Sequence, residues 1–184
     1  MRYVHRVRLP LDPCDRRTRR RRGAGAALTI VRVAETQSTN ADMLARAAQG
    51  ATEGEWLVAD TQTDGCGRMG RAWESPPGNL YASGLMRLHP DDPPAATLAL
   101  VAGVAVHQAL ALWADGMTLK WPNDALAGEA KIAGVLLERA GDAVVVGVGA
   151  NLARHPDLPD RHATSLAALG IATPEPIAVA EALT

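Results

Sequence analysis

The sequence predicts an α+β fold in which a mixed, mainly antiparallel sheet carries helices packed on one side. Strand-like runs follow one another closely along the chain, and Gly141-Asp142 suits a tight primed turn between two of them. Because such strands pair with their sequence neighbours without long crossovers, the sheet is expected to be mainly antiparallel. With 184 residues, of which 47% are apolar, the chain can bury one core and is expected to form a single domain.

The elements are expected in the following order. Strands are predicted over residues 28–33, 55–62, 79–88, 131–139 and 143–149. Helices are predicted over residues 40–49, 95–113 and from 177 to 184. The first helix has Ser38 or Thr39 as its N-cap and Gly50 at its end. The apolar run 95–113 contains Thr97 and His107, so it predicts a helix packed on the sheet rather than a membrane span.

Charge is divided unevenly along the chain. Residues 1–22 hold nine arginines against two aspartates, whereas the rest of the chain is acidic. Residues 1–27 are therefore predicted to be a disordered basic extension, and residues 28–184 to form the domain. The arginine run could contact nucleic acid nonspecifically, or be translated from an upstream start codon, which is the simpler reading; no specific DNA binding is expected. Two cysteines without metal spacing favour a reducing cytoplasm.

The most informative segment is the glycine-rich loop over residues 65–73, Gly-Cys-Gly-Arg-Met-Gly-Arg-Ala-Trp. Glycines let backbone amides approach an anion and form a nest around it. Arg68 and Arg71 carry permanent charge suited to phosphate or carboxylate oxygens, and Trp73 offers a face to a purine. The segment predicts a nucleotide phosphate site, with a mobile surface loop as the alternative.

Two further segments carry polar groups beside apolar runs. In Lys120-Trp121-Pro122-Asn123-Asp124, proline stiffens the backbone, and the last two side chains suit a turn or ligation of ribose, ammonium or Mg²⁺. Lys131 begins an apolar run, so its ammonium must reach solvent or meet an anion. Of Ser38 and Thr39, one hydroxyl is expected to cap the helix and the other to face a polar ligand.

In their order and spacing these segments resemble the biotin protein ligases, or biotin–[acetyl-CoA-carboxylase] ligases. The family hallmarks are a Ser-Thr-Asn segment, a Gly-Arg-rich loop before an aromatic residue, Lys-Trp-Pro-Asn-Asp, Lys-(Leu/Ile)-Ala-Gly and a late Gly-x-x-Asn. Here they stand at residues 38–40, 65–71, 120–124, 131–134 and 147–151. The resemblance extends from about Leu28 to Leu169 and implies a catalytic domain like that of the class II aminoacyl-tRNA synthetases.

The resemblance also implies a reaction and its residues. Biotin is activated by ATP with Mg²⁺ to biotinyl-5′-adenylate, and a lysine of a biotin carboxyl carrier protein, an acetyl-CoA carboxylase subunit, then takes the acyl group. Biotin is expected to contact Ser38, Thr39, Asn40, Gln62, Cys66, Gly67, Arg68 and Lys131. ATP is expected to contact Arg68, Arg71, Trp73, Lys120, Asn123 and Asn151. Arg68 and Lys131 are the expected catalytic residues, and Asp124 is the candidate Mg²⁺ ligand. A homodimer is a further possibility that this resemblance raises.

The chain departs from the family pattern at two points. Cys66 stands where the loop usually carries its first arginine, and the chain stops at Thr184, before the SH3-like barrel of the family, which is expected to be absent. The chain is thus expected to be either a truncated fragment or a degenerate member. Lipoate or octanoate ligation and noncatalytic biotin binding are the alternative functions. The acid that supports pyrophosphate release from ATP distinguishes them.

Overall fold

A computed structural model describes residues 3–6, 28–158 and 162–184. Eight strands form one sheet in the spatial order β1-β2-β3-β4-β8-β7-β6-β5. The strands are β1 (Tyr3–Arg6), β2 (Thr29–Thr36), β3 (Glu55–Gln62), β4 (Leu80–Arg87), β5 (Met117–Lys120), β6 (Asp124–Ala127), β7 (Ala130–Ala140) and β8 (Ala143–Ala150). The α-helices are α1 (Thr39–Ala48), α2 (Thr97–Leu110) and α3 (Pro176–Ala182).

The sheet is mixed and mainly antiparallel, as the sequence predicts. β2 and β3 are parallel, and the other neighbouring strands are antiparallel. The expected absence of long crossovers is wrong in two places, because α1 crosses between β2 and β3, and β4 pairs with the distant β8. That distant pairing brings Tyr81 opposite Gly149 at the centre of the sheet.

Helices cover both faces of the sheet, whereas the sequence predicted helices on one side. Trp56 and Val58 of β3 belong to the core formed with α2 and α3, while Leu57 packs in a second core with Met43 and Ala47 of α1. Successive strand residues point to opposite faces, so an uninterrupted apolar strand such as β3 needs cover on both. We define the face that carries α1 as the α1 face.

Element boundaries follow the predictions closely in the centre of the chain. The predicted strand 55–62 and the hairpin between β7 and β8 are confirmed, with Gly141 at φ 63° in the turn. The first predicted strand extends to Thr36, and the long helix is shorter than predicted, at Thr97–Leu110. β6 was not predicted from the sequence, because its four residues are too few to show a period clearly.

One strand lies in the N-terminal segment that was predicted to be a basic extension. Tyr3–Arg6 pairs antiparallel with β2. β2 therefore lies between β1 and β3, and β1 forms the edge of the sheet on this side. The arginine run 16–22 lies outside the described residues, so the prediction of disorder there stays a prediction. Within the described ranges, no helix is long and apolar enough to cross a membrane.

Candidate functional site: a two-part cleft on the α1 face

Two adjoining cavities open on the α1 face. The inner cavity, of about 60 Å³, lies between the start of α1, the glycine-rich loop and strands β4, β7 and β8. The outer cavity, of about 380 Å³, lies between that loop, the turn after β5, residues 151–158 and Ala163. The residues common to both are Gly67, Arg68, Trp73, Asn123 and Lys131. These five residues come from three separate sequence motifs, and the fold brings them together at the boundary between the two cavities.

The N-terminus of α1 supplies the polar end of the inner cavity. The Ser38 hydroxyl accepts the Ala41 N–H at 3.4 Å and so caps the helix. The Thr39 hydroxyl lies instead 3.0 Å from Gln62 Oε1, and the Thr39 N–H donates to the same oxygen at 2.9 Å. Ser38 is therefore the capping hydroxyl and Thr39 lines the inner cavity, while a contact of Thr39 with a polar ligand stays a prediction.

A buried serine that the sequence analysis missed continues this polar chain. Ser83 of β4 is within 2.8 Å of Thr39 Oγ1 and 2.5 Å of Asn40 Oδ1. Asn40 in turn donates from Nδ2 to Glu138 Oε2 at 2.8 Å. A single serine in an apolar strand carries no sequence signal of a site, since the contact depends on the pairing of β3 with β4 and the position of α1.

Three glycines of β7 and β8 form the floor of the inner cavity. Gly134 and Gly149 are register partners, and Gly147 lies two residues earlier on the same face. A Cβ atom on Gly149 would lie 2.6 Å from the Trp73 ring, and one on Gly134 would lie 2.9 Å from Lys131 Nζ. A Cβ on Gly147 would overlap the Asn40 amide. The late glycine motif is therefore a site element, although its glycines were not predicted as binding residues.

The glycine-rich loop folds back on itself as a small hairpin. The Gly67 N–H donates to Arg71 O at 2.7 Å, and the Trp73 N–H donates to Gly65 O at 2.8 Å. Met69 takes φ 61° at the exposed tip. The N–H groups of Gly67 and Trp73 are therefore used within the loop and do not contribute to the predicted anion nest. The side chain of Arg68 brings a positive charge to both cavities.

Arg68 and Lys131 approach the cavity boundary from different elements. Arg68 Nη1 donates to Asn123 Oδ1 at 2.9 Å, which ties the loop to the turn between β5 and β6. Lys131 Nζ donates to Asp124 Oδ1 at 2.6 Å and lies 5.3 Å from the centre of the Trp73 ring. The side chains of Lys131 and Asp124 are 13% and 20% exposed, so water screens this ion pair only partly. Two fixed cations thus face one narrow region.

The predicted nucleotide residues are only partly assembled. Arg71 and Asn151 line the outer cavity, together with the boundary residues. Trp73 lies against the glycine floor, and its indole Nε1 is buried without a hydrogen-bond partner. Lys120 is exposed on β5 and lines neither cavity. Lys120 is the register partner of Asp124, but of the two only Asp124 lines the outer cavity.

Asn79 organises the segment that closes the outer cavity. Its Oδ1 accepts the N–H groups of residues 152, 153 and 154 at 3.0, 2.9 and 3.0 Å, and its Nδ2 donates to Arg154 O at 2.9 Å. Asn79 is 1% exposed. It is a structural support for Asn151 and Pro156 that the sequence analysis did not detect, because its partners are more than seventy residues away.

The fold and the cleft define an α+β ligand-binding domain whose cavity carries an uncharged polar end and a cationic boundary. The chain belongs to the biotin/lipoate A/B protein ligase family, whose model matches residues 32–151. This match runs from the middle of β2 to Asn151, the last residue of the late glycine motif.

Two curated relatives are similar over most of the chain. The chain is 42% identical over 178 residues to the biotin–[acetyl-CoA-carboxylase] ligase of Mycobacterium tuberculosis (strain ATCC 25618 / H37Rv), covering 92% of this chain and 66% of that protein. It is 41% identical over 133 residues to the biotin–[acetyl-CoA-carboxylase] ligase of Paracoccus denitrificans, covering 68% and 55%. The chain thus spans less than two thirds of the length of these relatives.

Solved biotin protein ligases share the fold. The Leishmania major enzyme in complex with biotinyl-5-AMP superposes with a TM-score of 0.75 and 29% identity, over 84% of this chain and 71% of that one. The Aquifex aeolicus enzyme in complex with biotin and ATP gives a TM-score of 0.72 and 32% identity, over 84% and 66%. The predicted α+β fold and family resemblance are confirmed.

Proposed function

We propose that the chain carries the catalytic domain of a biotin–[acetyl-CoA-carboxylase] ligase. It would activate biotin with ATP to biotinyl-5′-adenylate and transfer the acyl group to a lysine of a biotin carboxyl carrier protein. The observation that carries the proposal is the meeting of Arg68 and Lys131 at the boundary of two cavities. In a mixed anhydride of a carboxylic acid and AMP, the negatively charged phosphate lies between the acyl group and the nucleoside, and so it would lie at the boundary of the two cavities. The relatives named above are ligases of this kind.

The inner cavity suits the uncharged ring system of biotin. Thr39 and Gln62 offer hydrogen-bonding groups there, and the glycine floor gives a flat surface close to the backbone. Its volume of about 60 Å³ is below the 300 Å³ or more typical of small-molecule sites, so biotin has to widen it. The glycine-rich loop forms one wall, and none of the residues Arg68–Gly70 at its tip is buried, so we assign the widening to this loop.

The outer cavity suits the nucleotide. Arg71, Trp73 and Asn151 line it, and its volume of about 380 Å³ is in the usual range for small-molecule sites. Asn123 belongs to both cavities and would lie near the α-phosphate. Lys120 would contact ATP only from outside the cavity, through the terminal phosphates, because its side chain is exposed at the end of β5.

The chemistry needs positioning and charge neutralisation more than a protein nucleophile. The biotin carboxylate attacks the α-phosphorus, forming a new O–P bond while the bond to the pyrophosphate oxygen breaks. The carrier lysine amine then attacks the acyl carbon, and AMP leaves with its phosphate oxygen. Arg68 and Lys131 would stabilise the developing negative charge, each contributing about 2–4 kcal/mol as preorganised groups do.

Mg²⁺ fits this site only if Asp124 binds both the ion and the Lys131 ammonium. No group of three or more histidine, cysteine or acidic side chains suited to a metal occurs among residues 28–158 and 162–184. Asp124, the candidate ligand, already accepts the Lys131 ammonium on Oδ1. A magnesium ion with one carboxylate and several phosphate oxygens is nevertheless a common arrangement, and it would supply charge neutralisation on the phosphates. We therefore propose that Asp124 mainly positions Lys131 and also coordinates this ion.

The remaining expectations stay proposals. The acyl acceptor would be a carrier lysine on a biotin carboxyl carrier protein, the domain would act in the cytoplasm, and a homodimer would be compatible with it. Cys66 lines the inner cavity and is exposed, so its uncharged side chain would contact biotin where the family usually has an arginine. Octanoate and lipoate lack the polar ring of biotin, which makes them the poorer match to the polar end of the inner cavity.

The test is adenylate formation from ATP and each acid. Wild-type protein is expected to release pyrophosphate with biotin and not with lipoate. Lys131→Ala should lower this rate by about 30- to 1,000-fold, the loss expected for a preorganised charge. Arg139→Ala is the matched control, because Arg139 is an exposed cation on the same strand that donates only to Gly141 O. Release with lipoate alone would assign the chain to lipoate ligation, and biotin binding without pyrophosphate release would make it a noncatalytic binding protein.

A further inference from the structure

Glu138 of β7 bonds to the polar end of the inner cavity, although it does not line it. Its Oε2 accepts the Asn40 Nδ2–H at 2.8 Å, and Asn40 is 5% exposed. A carboxylate can only accept hydrogen bonds, so it dictates which end of the Asn40 amide faces it. Asn40 Oδ1 must then face Ser83, where the hydroxyl lies at 2.5 Å.

This orientation passes along the chain of hydroxyl groups. Ser83 has one hydrogen, and it is directed to Asn40 Oδ1, so the Ser83 oxygen faces Thr39 as an acceptor at 2.8 Å. On the other side of Thr39, the Thr39 N–H can only donate, and it donates to Gln62 Oε1. The oxygen of the Gln62 amide, rather than its NH₂ group, therefore faces Thr39 as a second acceptor. The Thr39 hydrogen is therefore held by Ser83 or Gln62, and Thr39 Oγ1 keeps a lone pair for the cavity.

We infer that Glu138 is a positioning residue that makes the polar end of the cavity an acceptor of ligand N–H groups. The inference rests on the proposed function and extends it to a residue outside the cavity. The ureido ring of biotin carries N–H donors, whereas an alkyl chain or a dithiolane ring carries none. Without Glu138 the Asn40 amide is free to turn, the Ser83 hydrogen can point to Thr39, and the preference for a donor is lost.

The test compares biotin with biotin methylated at either ureido nitrogen, using isothermal titration calorimetry. Glu138→Ala should raise the Kd for biotin by about tenfold, the loss expected for one misdirected buried hydrogen bond, and should reduce the preference for biotin over the methylated ligands. Glu138→Gln keeps an acceptor oxygen and should stay within about threefold of wild type. Glu129→Ala, an exposed glutamate before β7, is the matched control.

A reciprocal exchange separates hydrogen-bond direction from packing. Asn40→Asp alone sets two carboxylates against each other and should weaken biotin binding. In the double variant Asn40→Asp with Glu138→Gln, the glutamine amide donates to the aspartate, which still accepts from Ser83, so most of the affinity should return. A wild-type ligand preference in Glu138→Ala, or no recovery in the double variant, overturns the inference alone. Failure of the wild-type protein to bind biotin refutes the proposed function and the inference with it.

Discussion

The substitution Asn79→Ala removes the support of residues 152–154. In the structure one side-chain oxygen accepts three backbone N–H groups, and the Leu152 N–H among them is fully buried. An unsatisfied buried N–H costs about 1–3 kcal/mol, and each of the two partly buried bonds is worth about 0.5–1.5 kcal/mol. The expected loss is therefore about 2–6 kcal/mol, a large part of the 5–15 kcal/mol typical of a domain.

Urea unfolding followed by circular dichroism measures this loss directly. Asn79→Asp is the matched variant, because its carboxylate keeps the three accepted bonds and loses only the donation to Arg154 O. It should therefore lose less stability than the alanine variant. The freed segment lines the outer cavity through Asn151, Pro156 and Leu158, so ATP affinity should fall more than biotin affinity. A loss of unfolding free energy below about 1 kcal/mol in Asn79→Ala, or equal losses in both variants, would refute the reasoning, because a buried N–H without an acceptor costs at least about 1 kcal/mol.

Two further changes test the packing of the α1 face. Gly147→Ala places a methyl group against the Asn40 amide and should lower the free energy of unfolding in urea by about 1–3 kcal/mol. Gly103→Ala in α2 is the control, because the nearest atom to its added methyl group would be 3.9 Å away, and it should leave stability unchanged or raise it. Equal effects of the two substitutions would contradict the packing. Burial raises the pKa of the Tyr81 hydroxyl above its ordinary 10.0, so the stability that its neutral form contributes is present below that pH and is lost as pH rises beyond it. In a Tyr3→Phe variant, tyrosinate absorbance should appear only together with unfolding, and its appearance in folded protein would contradict the burial.

Much of the fold and of the site could be predicted from local signals. The alternation and turn chemistry of residues 131–149 predicted a hairpin that the structure contains, and the run of apolar residues at 55–62 predicted β3. Glycines next to arginines, and a lysine heading an apolar strand, predicted a charged cleft. These signals are local because hydrogen-bonding period, turn geometry and charge act between near neighbours in the chain.

The other part of the site depends on long-range pairing. No local pattern indicates that β4 lies beside β8, yet that pairing sets Ser83 against Gly147 and Tyr81 against Gly149. The same pairing accounts for one of the two unpredicted crossovers, and the other is the parallel pairing of β2 with β3 across α1. Long-range pairing also explains why Glu138 and Asn79 escaped detection, since each acts on residues more than seventy positions away.

Residue identity alone was enough to establish which chemical groups the chain offers: two cations, a glycine-rich loop and a capped helix start, in an order typical of one family. The folded sheet decided which of these groups meet. Lys120 lines neither cavity, whereas Ser83 and Glu138, which do not line the cavities either, bond to Asn40 at the polar end of the inner one. The physical reason is that a strand directs alternate side chains to opposite faces. The register of distant strands, rather than position in the chain, therefore determines which side chains share a cavity.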